Sequence, residues 1–128
     1  MSVSVWNTEL LPGASVEVAT YELKKADDTD KIANVYEAAA HGRWAHRSSL
    51  VLELPEEDDL DERLLKEAAR FGLGVYRMRL DGDKAQVAEI REPDRREPET
   101  ADLDELLRYF FDRLRRRDQI AYKAAVRA

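Results

Sequence analysis

Leu50, Val51, Leu52 and Leu54 make a nearly continuous apolar run in a chain that is 38% charged, and Pro55 stops it. A run that short and that apolar reads as a β-strand covered on both faces, inside an α/β sandwich rather than at a solvated surface. The rest of the chain must supply the layers. Upstream, Val3 and Val5 alternate with polar residues, and Val16, Val18 and Thr20 alternate again after the turn signal Leu11-Pro12-Gly13-Ala14. A β-hairpin whose second strand, residues 15 to 25, is the longer one is the expectation.

Helical spacing follows. Thr29 or Asp30 can cap a helix bearing Ile32, Val35, Tyr36, Ala39 and Ala40 and reaching about Trp44. Gly42 lies within it, and a glycine there costs about 1 kcal/mol relative to alanine unless a close backbone approach requires it. After Pro55, Asp59 or Asp61 caps a second helix with Leu64, Leu65, Ala68 and Ala69, closed by Phe71-Gly72-Leu73-Gly74. Strands over 75–80 and 86–91 flank the hairpin signal Asp81-Gly82. A charged loop over 92–100 leads to a long final helix, capped by Thr100 or Asp102, with Leu103, Leu106, Leu107, Phe110, Phe111 and Leu114 on its apolar face. The order β-β-α-β-α-β-β-α predicts one α/β domain over residues 1–128. Its mixed sheet of four or five strands should be flanked by helices on both sides.

Composition narrows the function classes. The chain has 128 residues, enough for one real core, and no cysteine, which excludes disulfides, thiolate metal sites and cysteine nucleophiles. A formal charge of −6 argues against a general nucleic-acid coat protein while leaving room for a local basic groove. No basic start runs into an apolar segment, and no stretch approaches a membrane span, so a soluble cytoplasmic protein without membrane contact is expected. Gly72-x-Gly74 lacks the third glycine of a phosphate loop. The arginines Arg113, Arg115, Arg116 and Arg117 are flanked by Asp112 and Asp118, as on a solvated helix face.

The segment that carries chemistry is Tyr21-Glu22-Leu23-Lys24-Lys25. Strand side chains alternate, so Glu22 and Lys24 share one face and Leu23 takes the other. A carboxylate beside an ammonium at a strand end suits metal-assisted phosphodiester hydrolysis; it equally suits a simple salt pair on an exposed strand. Glu37 and His41 form an i,i+4 pair on the following helix, a pairing that needs no function. Arg43, His46 and Arg47, placed beside Lys24 and Lys25, would make a positive rim for nucleic-acid phosphates, or would simply complement the helix C-terminus.

A hairpin ending in Glu22-Leu23-Lys24, a capped helix from Asp30 to about Trp44 and a buried strand over 48–54 together resemble the PD-(D/E)xK nuclease superfamily, in a prokaryotic branch. The run Asn34 to His41 with Ala45-His46-Arg47, and the junction Phe71-Gly72-Leu73-Gly74-Val75, are similar to segments of some members. The resemblance covers residues 3 to 91. It implies a restriction-endonuclease-like fold and Mg²⁺-dependent hydrolysis of DNA. Glu22 would be the metal-ligating acid and Lys24 the motif lysine, with Leu23 lending its carbonyl to the metal.

The chain departs from the family at the first acid. Members place an aspartate on the strand before the hairpin turn, where this chain has Ser2, Ser4 and Asn7. Glu9 is the better stand-in as a metal ligand and Glu17 the poorer. Pairing across the turn should bring Glu9 near Val16 or Val18, with Val3 to Val5 opposite Glu22, so an incomplete two-carboxylate site is expected. The alternative function is a catalytically inactive nuclease-fold domain serving in protein interaction or regulation. In either case the C-terminal helix could hold a homodimer or an additional domain.

Overall fold

The computed structural model describes residues 2–8, 11–25, 32–54 and 60–127, with the backbone alone for 6–8 and 11–14. Strands β1 (Ser2–Thr8) and β2 (Leu11–Lys24) are followed by α1 (Ala33–Gly42), β3 (Arg47–Glu53), α2 (Glu62–Arg70), β4 (Gly74–Asp81) and β5 (Lys84–Arg91). Helices α3 (Thr100–Asp112) and α4 (Arg116–Arg127) complete the chain. The five strands form one mixed sheet in chain order. β2, β3 and β4 run parallel, and the edge strands β1 and β5 are antiparallel to their neighbours. Parallel neighbours need a crossover, and α1 and α2 are the two crossovers. No helix among the described residues is long and apolar enough to cross a membrane.

The register sorts the strand residues into two faces. Val18, Thr20, Glu22 and Lys24 lie on the same face as Ser48, Leu50, Leu52 and Val75. This face is covered. α1 and α2 bury Leu50, Leu52, Leu54 and Val75 beneath Val35, Ala38, Leu64 and Ala68. α3 closes over Val18 with Leu106, around which Leu103, Leu107 and Trp44 pack. α4 runs beside β1 and β2. Each fully buried leucine of this core contributes about 1.5–3 kcal/mol.

The opposite face leaves Tyr21, Leu23, Leu80 and Val87 exposed. Among the described residues the domain is thus two-layered, where helices on both faces were expected. β3 shows why. Leu50 and Leu52 are buried while Val51 between them is only half-buried, so a nearly continuous apolar sequence lies in an alternating environment.

Local chemistry accounts for the element boundaries. Thr8 pairs with Leu11 and Asn7 with Ala14, so Pro12 and Gly13 form an irregularity inside β2 rather than the hairpin turn. Proline has no N–H to donate, and strands accommodate it at such a bulge. Asp61 caps α2 as expected, its carboxylate accepting from Arg63 N–H at 2.9 Å. The proposed caps Thr29, Asp30 and Asp59 lie outside the described residues. Gly82 takes φ +64° at the tip of the β4–β5 hairpin, a conformation that favours glycine.

Gly42 ends α1 where the helix touches the sheet. Ser48 Oγ donates to Gly42 O at 2.8 Å. A Cβ at this position would overlap Ser48 Oγ and Cβ and stand 2.8 Å from Thr20 Oγ1. The buried stripe of α1 is therefore Val35, Ala38 and Gly42, while Tyr36 and Ala40 face outward, contrary to the expected spacing. The C-terminal helical region is long but divided: Arg113 and Leu114 N–H close onto Phe110 O and Phe111 O, and Tyr122 of α4 folds back against both phenylalanine rings.

Candidate functional site

Glu22 and Lys24 stand near the C-terminal end of β2, on the covered face and beneath α1. With Val35, Ala38 and Gly42 turned to the sheet, Glu37 and His41 fall one helical turn apart on the flank of α1 that overhangs β2. The four side chains meet. Lys24 Nζ donates to Glu37 Oε2 at 2.8 Å and lies 3.5 Å from Glu22 Oε1. His41 Nδ1 lies 2.9 Å from Glu22 Oε2. The Glu22 and Lys24 side chains are 22% and 17% exposed, whereas His41 is 60% exposed, so the cluster is rooted in the sheet and open to solvent on the helix side.

The electrostatics assign different states to these groups. The hydrogen bond from Lys24 holds the Glu37 carboxyl below its usual range. Reciprocally, that bond raises the Lys24 pKa, against an opposing effect of burial, with a further contribution from Glu22. Lys24 is therefore a fixed ammonium at neutral pH, fit to stabilise negative charge and unfit as a base. A carboxylate only accepts, so the His41 tautomer that fits the contact with Glu22 carries its proton on Nδ1. In that tautomer Nε2 is the accepting nitrogen, and among the described residues no group bonds to it.

The donor set fits a cation. One ligand atom each from Glu22, Glu37 and His41 falls within 4.8 Å of the others. Ligands of a single ion at 2.0–2.6 Å are separated by up to roughly 5 Å. Two carboxylates suit a hard divalent ion such as Mg²⁺ or Mn²⁺. The Lys24 ammonium already bridges the same two carboxylates, so it shares and partly neutralises the site.

Of the other residues expected at the site, the described ones send no side chain into this cluster. Leu23 turns its exposed side chain to the opposite face, as strand alternation predicts, and its backbone carbonyl, the group expected at a metal, stays in β2 between Glu22 and Lys24. Glu9 lies outside the described residues; its neighbour Thr8 pairs with Leu11, at the far end of β2 from Glu22. Nor does β1 reach Glu22 at all, since Ser2 pairs with Ala19, and the expected apposition of Val3 to Val5 is replaced by pairing with Val18 and Val16. Lys25 is exposed at the strand end. Arg43 is exposed, its guanidinium 4.6 Å from the centroid of the Trp44 ring.

His46 and Arg47 do not join a positive rim. His46 is buried, its Nδ1 accepting from Val18 N–H at 2.9 Å, and burial followed by the nearby Arg95 charge lowers its pKa. Arg47 projects to the opposite face, where it pairs with Glu17, which also takes Arg95 at 3.2 Å. These three groups join the segment 92–99 to the sheet instead.

Sequence reasoning left two residues out of the site, His41 and Glu37. Their i,i+4 relation was visible; the contact of Glu37 with Lys24 depends on α1 crossing over β2, which one-dimensional spacing does not specify. No family model matches this chain, and no curated protein or solved structure matches it.

Proposed function

We propose that the domain is a nuclease-like hydrolase that cleaves DNA phosphodiesters with the help of a divalent cation. The observation that carries this reading is the convergence of Glu22, Glu37, Lys24 and His41 at the end of β2. Glu22 and Glu37 would hold the ion, so the second acid comes from the helix after the strand rather than from Glu9. When bound, Mg²⁺ or Mn²⁺ lowers the pKa of a water and polarises the phosphoryl oxygens. His41 Nε2 accepts the proton from the attacking water, with Glu22 orienting the imidazole through Nδ1. Lys24, kept protonated, offsets the charge that develops on the phosphate oxygens.

The exposed Tyr21, Leu23, Leu80 and Val87 on the open sheet face favour a second reading, a non-catalytic interaction domain. Plasmid nicking separates the two. The hydrolase reading expects nicking that requires Mg²⁺ or Mn²⁺, stops in EDTA and is lost in Lys24→Ala. A wild-type protein that neither nicks DNA nor binds either ion leaves the interaction reading.

A further inference from the structure

On the opposite flank of α1 from Glu37 and His41 lies a cavity of about 630 Å³ between α1, the end of α2 and the segment after β5. Its walls bring together Arg43, Arg70 and Arg96 with Tyr36 and Phe71, and among the described residues Asp94 is the only carboxylate that lines it. Asp94 is already engaged by Arg91 at 3.3 Å. Glu67 approaches Arg70 only to 3.7 Å, and among the described residues no carboxylate pairs with Arg43 or Arg96. In a chain of net charge −6 this is a local excess of positive charge, set in a concave space of the size that small ligands occupy.

The arginines come from three different segments: Arg43 and Arg70 are exposed at the rim, and Arg96 is fixed by hydrogen bonds. Arg96 donates through Nε to Ala45 O at 3.2 Å and through Nη2 to Gly42 O, which leaves Nη1 without a partner among the described residues. Burial lowers the pKa of this guanidinium even though the residue as a whole is exposed. A charge so placed is stabilised by an anion. The rings of Tyr36 and Phe71 meet edge to face at 5.7 Å, and both are partly exposed. Apolar floor comes from Ala39 and Leu73.

We propose that this cavity binds a small phosphate-bearing molecule with a planar ring, the phosphate held by Arg43, Arg70 and Arg96 and the ring against Tyr36 and Phe71. The site is separate from the Glu22 cluster and stands whether or not that cluster hydrolyses DNA. Isothermal titration with adenosine 5′-monophosphate in EDTA, alongside adenosine and inorganic phosphate, tests it. One saturable site for the monophosphate is expected, with both fragments weaker by at least about tenfold. The double variant Arg43→Gln/Arg70→Gln should weaken the monophosphate by at least about tenfold while keeping the wild-type melting temperature. Glu37→Gln should leave that affinity unchanged. No saturable binding up to ~10 mM, equal affinity for adenosine, or an undiminished affinity in the folded double variant would overturn the proposal.

Discussion

Lys24 on β2 donates to Glu37 on α1 at 2.8 Å, a bond that spans from strand to helix and puts an ammonium where two carboxylates converge. The bond has an arithmetic consequence. Two acids and one lysine leave the cluster with a single net negative charge when His41 is neutral, and removing the lysine doubles it.

Lys24→Ala should therefore separate binding from turnover. Mn²⁺ affinity measured by calorimetry rises, because the competing ammonium is gone, while DNA nicking falls to background. A variant that loses metal affinity and nicking together would show that Lys24 builds the site rather than serving the reaction.

Gly42→Ala tests the close contact of α1 with β3. Alanine improves helix propensity by about 1 kcal/mol, but its methyl meets Ser48 and Thr20. The overlap dominates, and a net loss of about 1–3 kcal/mol in chemical denaturation is expected. Adding Ser48→Gly removes the nearer obstruction and should restore part of that loss.

His46 makes stability depend on pH. Its folded pKa is lowered, so the unfolded chain binds the proton more readily and the contribution is fully present above the unfolded value of about 6.5. Stability is lost as pH falls from there through the folded value, as protonation of Nδ1 breaks the bond from Val18 N–H. Denaturation midpoints taken between about pH 7.5 and 5 should fall in wild type. In His46→Gln they should be lower at neutral pH and flatter across the range.

Asp61→Ala removes the carboxylate that accepts from Arg63 N–H at the start of α2. A loss of about 1 kcal/mol is expected from thermal or urea denaturation, and Asp61→Asn should recover most of it.

Much of the fold could be read from local patterns because those patterns are set by neighbours in sequence. Alternation placed Glu22 and Lys24 on one face, Asp61 was in position to cap α2, and Asp81-Gly82 marked the last hairpin. What escaped depends on contacts between distant segments. Val51 is as apolar as Leu50, and only the one-sided placement of the helices distinguishes them. Pro12 signals a break in regular pairing, yet nothing in its neighbours says whether that break is a turn or a bulge. His46 sits between basic residues and looked like a phosphate contact, but the chain turns it inward to meet Val18. Glu37 resembled a surface partner of His41 until α1 was laid across β2.

The central claim is that Glu22 and Glu37 together hold a divalent cation, and titration of the wild-type chain with Mn²⁺ tests it most directly. One ion per chain is predicted, with Glu22→Gln and Glu37→Gln each weakening it by at least about tenfold without loss of folded signal. No binding by the wild type, or an unchanged affinity in Glu37→Gln, would contradict it.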